Sequence, residues 1–320
     1  MLFQKWCIAA AMVCVSVAAT AQSEFPSWAY PLTPQAPKPE PEEGVVQSVP
    51  GSNAALTISQ SRDRFAVPDW HPGDHPAMPR IVSNGRKPDV WACGYCHRPT
   101  GIGGPENASL TGLPADYIEQ QVKDLASGVR STVMPKRGPH ALKMPIAKGV
   151  SDEELKEAAA YFSSLKPQQM LLVKEGDMAP KLQQRLFFWA PTDDGAQEPI
   201  GNRIVEYPQD HRRFEVLRDA RVKFVVHVPT GSIGKGEALV RAPGGKAELA
   251  CTSCHGTDLR GVGNIPSIAG RSPSYVVRQL WDIQQGARNG AMAVLMKPVV
   301  GMLDSSDMLN IAAYLATLKP

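Results

Sequence analysis

The sequence predicts a mainly α protein of two similar helical domains in tandem, with a Pro-rich N-terminal arm and a small β insertion between the domains. Three observations predict this. Two Cys-x-x-Cys-His strings, Cys93-Gly-Tyr-Cys96-His97 and Cys251-Thr-Ser-Cys254-His255, lie 158 residues apart. At the same offset Ser109, Gly112, Tyr117, Gln121, Asp124, Gly128 and Arg130 recur as Ser267, Gly270, Tyr275, Gln279, Asp282, Gly286 and Arg288. Such ungapped recurrence marks an internal repeat. Finally, each string is followed by apolar residues at helical spacing.

The first segment, 1–21, reads as a signal peptide: Lys5 in a short head, an apolar run from Cys7 to Ala19, and a small-residue cleavage pattern at Ala19-Thr20-Ala21. The run is too short to span a bilayer comfortably. The expectation is a periplasmic protein with no transmembrane anchor after cleavage. Cleavage would remove Cys7 and Cys14, so that all four remaining cysteines belong to the two strings. Residues 22–67 form an arm in which Pro26, Pro31, Pro34, Pro37, Pro39, Pro41 and Pro50 favour extended, polyproline-like chain. Trp28 and Tyr30 are its natural anchors if it packs as a strap.

The first domain is expected over 68–167. A helix over 115–127 places Tyr117, Ile118, Gln121, Val122 and Leu125 on one face, with Gly128 to stop it. Ser151-Asp152-Glu153-Glu154 is a capping box, and Leu155, Ala158, Ala159, Phe162 and Leu165 make the stripe of the helix it opens. The connector, 168–231, contains strand-like runs at 203–207 and 223–228. The second domain, 232–320, opens on a helix near Ser232 to Val240, weakened by Gly234 and Gly236. It continues with a helix over 273–285, capped by Ser272 and started by Pro273. Asp304 caps the last helix, which carries Met308, Ile311, Ala312, Leu315 and Leu318. Here the repeat offset becomes 153, so the first copy holds five extra residues between its helical segments.

The net charge of +3 over 320 residues gives no case for a nucleic-acid partner. With 43% hydrophobic and 7% aromatic residues, the cores are lean. Four thiolates could close one tetrahedral zinc site. That site would leave both histidines without a purpose and would span the whole of 97–250. A thioredoxin-like dithiol lacks its βαβ setting, and simple disulfides again leave the histidines unexplained. Covalent haem accounts for every residue: two nearby thiols add to two vinyl groups, and the adjacent imidazole binds iron. Two covalently attached haem c groups are therefore expected, and a porphyrin supplies apolar bulk that a lean core lacks.

Each half resembles a class I cytochrome c domain, and the whole resembles a two-domain dihaem cytochrome c. The residues that carry the resemblance are Cys251 through Gly256, Pro266 through Arg271, Tyr275 through Gly286, Met296, and the closing Ile311 through Leu315. The resemblance implies a distal Met a few residues before the last helix of each domain. In the second copy it implies Met296 over Met292 and Met302, with Pro298 stiffening the loop. In the first it implies Met144, with Met134 and His140 as rivals in the same loop; at the offset of 153, Lys143 occupies the Met296 position. The expected haem-binding residues are thus Cys93, Cys96, His97 and Met144, and Cys251, Cys254, His255 and Met296, with His97, Met144, His255 and Met296 on iron. The family's Pro, whose neighbouring carbonyl orients the proximal imidazole, is Pro266 here. Ala108 replaces it in the first copy, where the 104–107 stretch is expected to orient the ring differently. These differences imply two unequal reduction potentials.

The functional expectation is single-electron transfer between redox partner proteins: a dehydrogenase, an oxidase or another cytochrome. The alternatives are an electron-transfer subunit of a dehydrogenase or oxidase complex, and a peroxidase-like dihaem enzyme. An enzyme needs an open or displaceable sixth position, whereas a carrier does not.

Overall fold

A computed structural model describes residues 24–32, 44–185 and 188–320. The expected signal peptide and the proline-dense centre of the arm, 33–43, lie outside the described residues. The first domain carries α1 (Cys93–His97), α2 (Ala115–Ser127), α3 (Gly138–Gly149) and α4 (Asp152–Ser164). The second carries α5 (Ser232–Arg241), α6 (Thr252–His255), α7 (Pro273–Gln284), α8 (Ala291–Val294), α9 (Lys297–Val300) and α10 (Ser305–Thr317). The two closing helices begin alike. Ser151 caps α4 and Asp304 caps α10, each in a complete capping box with Glu154 or Asp307 at its third position. Gly128, in left-handed conformation, ends α2 as expected.

Two features depart from expectation. The segment holding Met144 and His140 is the helix α3 rather than a loop, although Pro145 inside it removes one hydrogen-bond donor. In the second domain the same stretch breaks into the single turns α8 and α9. Of the two glycines that weaken α5 in sequence, Gly236 has a packing role. A Cβ on Gly236 would lie 1.9 Å from the carbonyl oxygen of Asn310, so α5 crosses α10 at a distance only glycine permits.

The connector forms strands, two of them close to the expected runs at 203–207 and 223–228, whereas the strand at Leu171–Glu175 was not expected. β1 (Leu171–Glu175) pairs in parallel with β3 (Phe224–Val228), which pairs antiparallel with β2 (Val205–Pro208). Leu171, Phe224, Val226 and Val228 join one core with Leu280, Ile283, Met308 and Leu315 of the second domain. The sheet is therefore an extension of that domain's core. Glu206 of β2, buried, accepts from Ser272 Oγ at 2.9 Å and from the Ser274 amide at 3.1 Å, which caps α7 from outside its own domain.

The start of the arm is a strap on α7. The Tyr30 hydroxyl donates to Asp282 Oδ1 at 3.0 Å, and the Phe25 ring meets Trp281 edge-on at 5.9 Å. The Trp28 carbonyl accepts from Trp189 Nε1 at 3.2 Å. Arg278 reaches from α7 to the Ala29 carbonyl at 2.6 Å and to the Pro105 carbonyl of the first domain.

Candidate functional site

In the first domain, α1 displays Cys93, Cys96 and His97 along one wall of a cleft enclosing about 1020 Å³, its open mouth included. Leu110, Leu113, Ile118, Val122, Leu125 and Phe162 line it, so its interior is apolar. The His97 Nδ1 lies 2.8 Å from the Ala108 carbonyl oxygen. A carbonyl only accepts, so Nδ1 carries the proton and Nε2 presents its lone pair. Burial pushes the imidazole down to about 3, which holds it neutral as a ligand must be. The second domain repeats the arrangement: His255 Nδ1 lies 2.8 Å from the Pro266 carbonyl, and burial lowers its pKa as well.

This corrects the expectation that residues 104–107 orient His97. The carbonyl at position 108 does the work that the carbonyl at 266 does, because the contact is made by backbone and needs no proline ring. A second parallel is less predictable. Arg98 follows His97 at φ 68°, ψ 158°, where Gly256 follows His255 at φ 85°, ψ 156°. An arginine is held in a conformation natural to glycine by its contacts: its guanidinium stacks 4.5 Å over the Phe214 ring and donates to the Phe214 carbonyl at 2.9 Å.

The four cysteines of the strings are unpaired. Burial pushes the Cys93 thiol up to about 12 and the Cys251 thiol up to about 11. Among the described residues no three His, Cys, Asp or Glu side chains converge as a metal site. An apolar cleft, two thiols and a neutral imidazole with Nε2 free form a donor set that fits a covalently held haem.

The expected distal residues are placed unequally. In the second domain Met296 packs, half-buried, against the core containing Leu280 and Met308, as Cys251 does. Met292 is exposed, and the Met302 sulfur lies where a Cβ on Gly244 would come within 3.3 Å of it. In the first domain α3 turns Lys143, Ile146, Ala147 and Val150 onto the cleft wall. Met144 is one residue around the helix, and neither it nor His140 is part of the wall. Met134 packs against the second domain's core. Burial pushes the Lys143 ammonium down to about 8.

Sequence reading missed the polar joint between the two domains, although the repeat contained every member. Arg130, Gln121 and Tyr117 line the first cleft together with Tyr275 of the second domain. Arg130 donates to Tyr275 and Gln279, and Arg288 donates to Tyr117 and Gln121. Identity at these repeat positions was the available signal.

Residues 235–319 match the family described as Cytochrome c. A cytochrome c4 of Azotobacter vinelandii is 27% identical over 236 residues, covering 71% of this chain and 84% of that one. A thiosulfate dehydrogenase electron acceptor of Thiomonas intermedia is 26% identical, covering 72% of this chain and 79% of the relative. Cytochrome c-554(548) of Halomonas halodenitrificans is 38% identical over 65 residues, covering 78% of that chain and 20% of this one.

Proposed function

Because the chain belongs to the class I c-type cytochromes, in their two-domain dihaem form, we propose that Cys93, Cys96 and His97 hold one of its two haem c groups. Cys251, Cys254 and His255 hold the other. The protein carries single electrons between partner proteins. The observation that carries this reading is the twice-built proximal side: a neutral imidazole whose Nδ1–H is fixed on a backbone carbonyl at 2.8 Å, beside two thiols.

When bound, the haem supplies reversible one-electron redox chemistry at iron. The chain's own residues do the rest. His97 and His255 present Nε2 because Nδ1–H is held by the carbonyls of Ala108 and Pro266, which also fix the ring planes. The apolar cleft wall excludes water, which favours the less charged state of the centre. Met296 is the proposed distal ligand of the second haem, because it and Cys251 both pack, half-buried, against that domain's core. Arg130, Arg288, Tyr117 and Tyr275 join the two domains, and Arg130, Tyr117 and Tyr275 also line the first cleft, which supports electron passage between the haems within one molecule.

Export to the periplasm belongs to the same proposal and rests on the leader-like segment 1–21. No helix among the described residues is long and apolar enough to cross a membrane. Met292, Val294 and Leu295 beside the Met296 turn, and Val262, are exposed apolar side chains suited to small, transient redox encounters. A dehydrogenase that delivers electrons one at a time is the partner class favoured by the named electron-acceptor relative.

The test is purification of the exported protein with haem quantified per chain, followed by redox titration and mixing with carbon monoxide. Two haems per chain, two separated redox waves and inertness to carbon monoxide in the native state support a carrier. A colourless protein, or rapid carbon monoxide binding at one haem, overturns it.

A further inference from the structure

Resting on the reading that each domain holds a haem, we propose that Lys143, and not Met144, supplies the distal ligand of the first haem, so that the two irons have different ligand pairs: His97–Lys143 and His255–Met296.

The register that leads here is set by structure at both ends. Ser151 and Asp304 cap the closing helices α4 and α10 and are related by the 153-residue offset. Counting back from these caps, Pro145 coincides with Pro298, and Lys143 coincides with Met296. Met144 coincides with Lys297, which is exposed in the second domain. The helical geometry of α3 gives the same answer independently. Lys143, Ile146 and Ala147 of α3, with Val150 at its C-cap, recur at intervals of three and four and all line the cleft that α1 also lines, so one face of α3 forms part of its wall. Met144 lies about 100° around that helix. Swinging it into the cleft would turn the apolar Ile146–Ala147–Val150 face away from the haem.

Chemistry is consistent with the geometry. Lys143 is the side chain of α3 on the wall that carries a lone pair for iron; its wall neighbours on that helix are aliphatic. On ligation the Nζ–iron bond forms as the ammonium releases one proton to solvent, with no change of oxidation state. An amine is a harder donor than a thioether and lacks the property by which Met raises the potential of a haem. The first haem is therefore the lower-potential member of the pair.

The experiment uses the intact oxidised holoprotein, whose weak far-red Met–iron absorption is quantified per chain. The wild type is expected to show one equivalent for two haems. Lys143→Met is expected to raise it to two, and Met144→Leu to leave it at one. In the redox titration, Lys143→Met shifts the lower wave towards the upper, and Met144→Leu shifts neither. Should Lys143→Met fail to fold, the reduced wild type decides by proton NMR. Ligated Lys143 methylenes move upfield of the ordinary protein envelope, and those signals vanish in Lys143→Gln. Two equivalents in the wild type falling to one in Met144→Leu overturn the proposal. So does a first haem unaltered by Lys143→Gln but altered by His140→Leu. Both outcomes leave the carrier reading intact, whereas a chain without covalent haem removes the carrier reading itself.

Discussion

Arg130 and Arg288 face one another in an antiparallel backbone bridge at the domain boundary, and each guanidinium crosses to the tyrosine of the other copy. Arg130 donates to Tyr275 Oη at 3.2 Å, and Arg288 donates to Tyr117 Oη at 3.0 Å. Gln121 and Gln279 each accept from both arginines. The joint has the local two-fold symmetry that the repeat permits.

Arg288→Ala is expected to cost about 2–3 kcal/mol, the value of charge-assisted bonds whose partners stay half-buried. It should also split a single calorimetric transition into two as the domains uncouple. The double variant Arg130→Ala/Arg288→Ala should cost less than the two single losses together, since the glutamines are shared. Calorimetry of the holoprotein checks both; full additivity would refute the shared network.

Gly236→Ala should destabilise the second domain by about 1–3 kcal/mol or more, because its Cβ would overlap a backbone carbonyl that cannot move aside. Gly234, in the same helix, has nothing within 4 Å of a built Cβ. Gly234→Ala should therefore stabilise by about 0.5–1 kcal/mol through helix propensity. Thermal melts of both variants give opposite shifts if α5 and α10 cross as described.

At Arg98 two effects oppose. Its backbone lies in a region costing about 1–3 kcal/mol for any residue but glycine, while its side chain anchors the 212–219 segment through Phe214. Arg98→Gly relieves the first and loses the second; Arg98→Ala keeps the strain and loses the anchor. Arg98→Ala should be the less stable of the two, and limited proteolysis should nick both near residue 214 sooner than the wild type. Equal stability of the two variants would disprove the strain.

His75 lies between Asp69 Oδ1, 3.2 Å from Nε2, and the Pro76 carbonyl, 2.9 Å from Nδ1. Two acceptors favour the doubly protonated ring. The hydrogen bond with Asp69 holds its pKa above the ordinary 6.5, against the opposing effect of partial burial. The resulting stabilisation is complete below 6.5 and is lost as pH rises through the higher folded-state value. An NMR titration should place the His75 midpoint above 6.5, and Asp69→Asn should bring it down. A midpoint below 6.5 would contradict the contact.

Local signals were readable, and non-local ones were not. Ser151, Asp304 and Ser272 announce their helices because a cap is chemistry confined to one turn. The proximal histidines were readable because the thiols and the imidazole must be adjacent. The parallel pairing of β1 with β3 spans about fifty residues of chain, and no local pattern specifies it. Pro139 and Pro145 argue against a helix over 138–149, yet Pro139 falls in its first turn, where proline is tolerated. Lys143 was visible as a misfit in the repeat, but only the helical face of α3 shows which way it turns.

Arg278 grips the carbonyls of Ala29 and Pro105, segments that leave the ribosome long before Arg278 does. Neither carbonyl gains this partner until the final third of the polypeptide has arrived. The amino-terminal strap, made first, completes its contacts only once α7 exists, and a chain truncated before α7 would leave Tyr30 without Asp282 and Ala29 without Arg278.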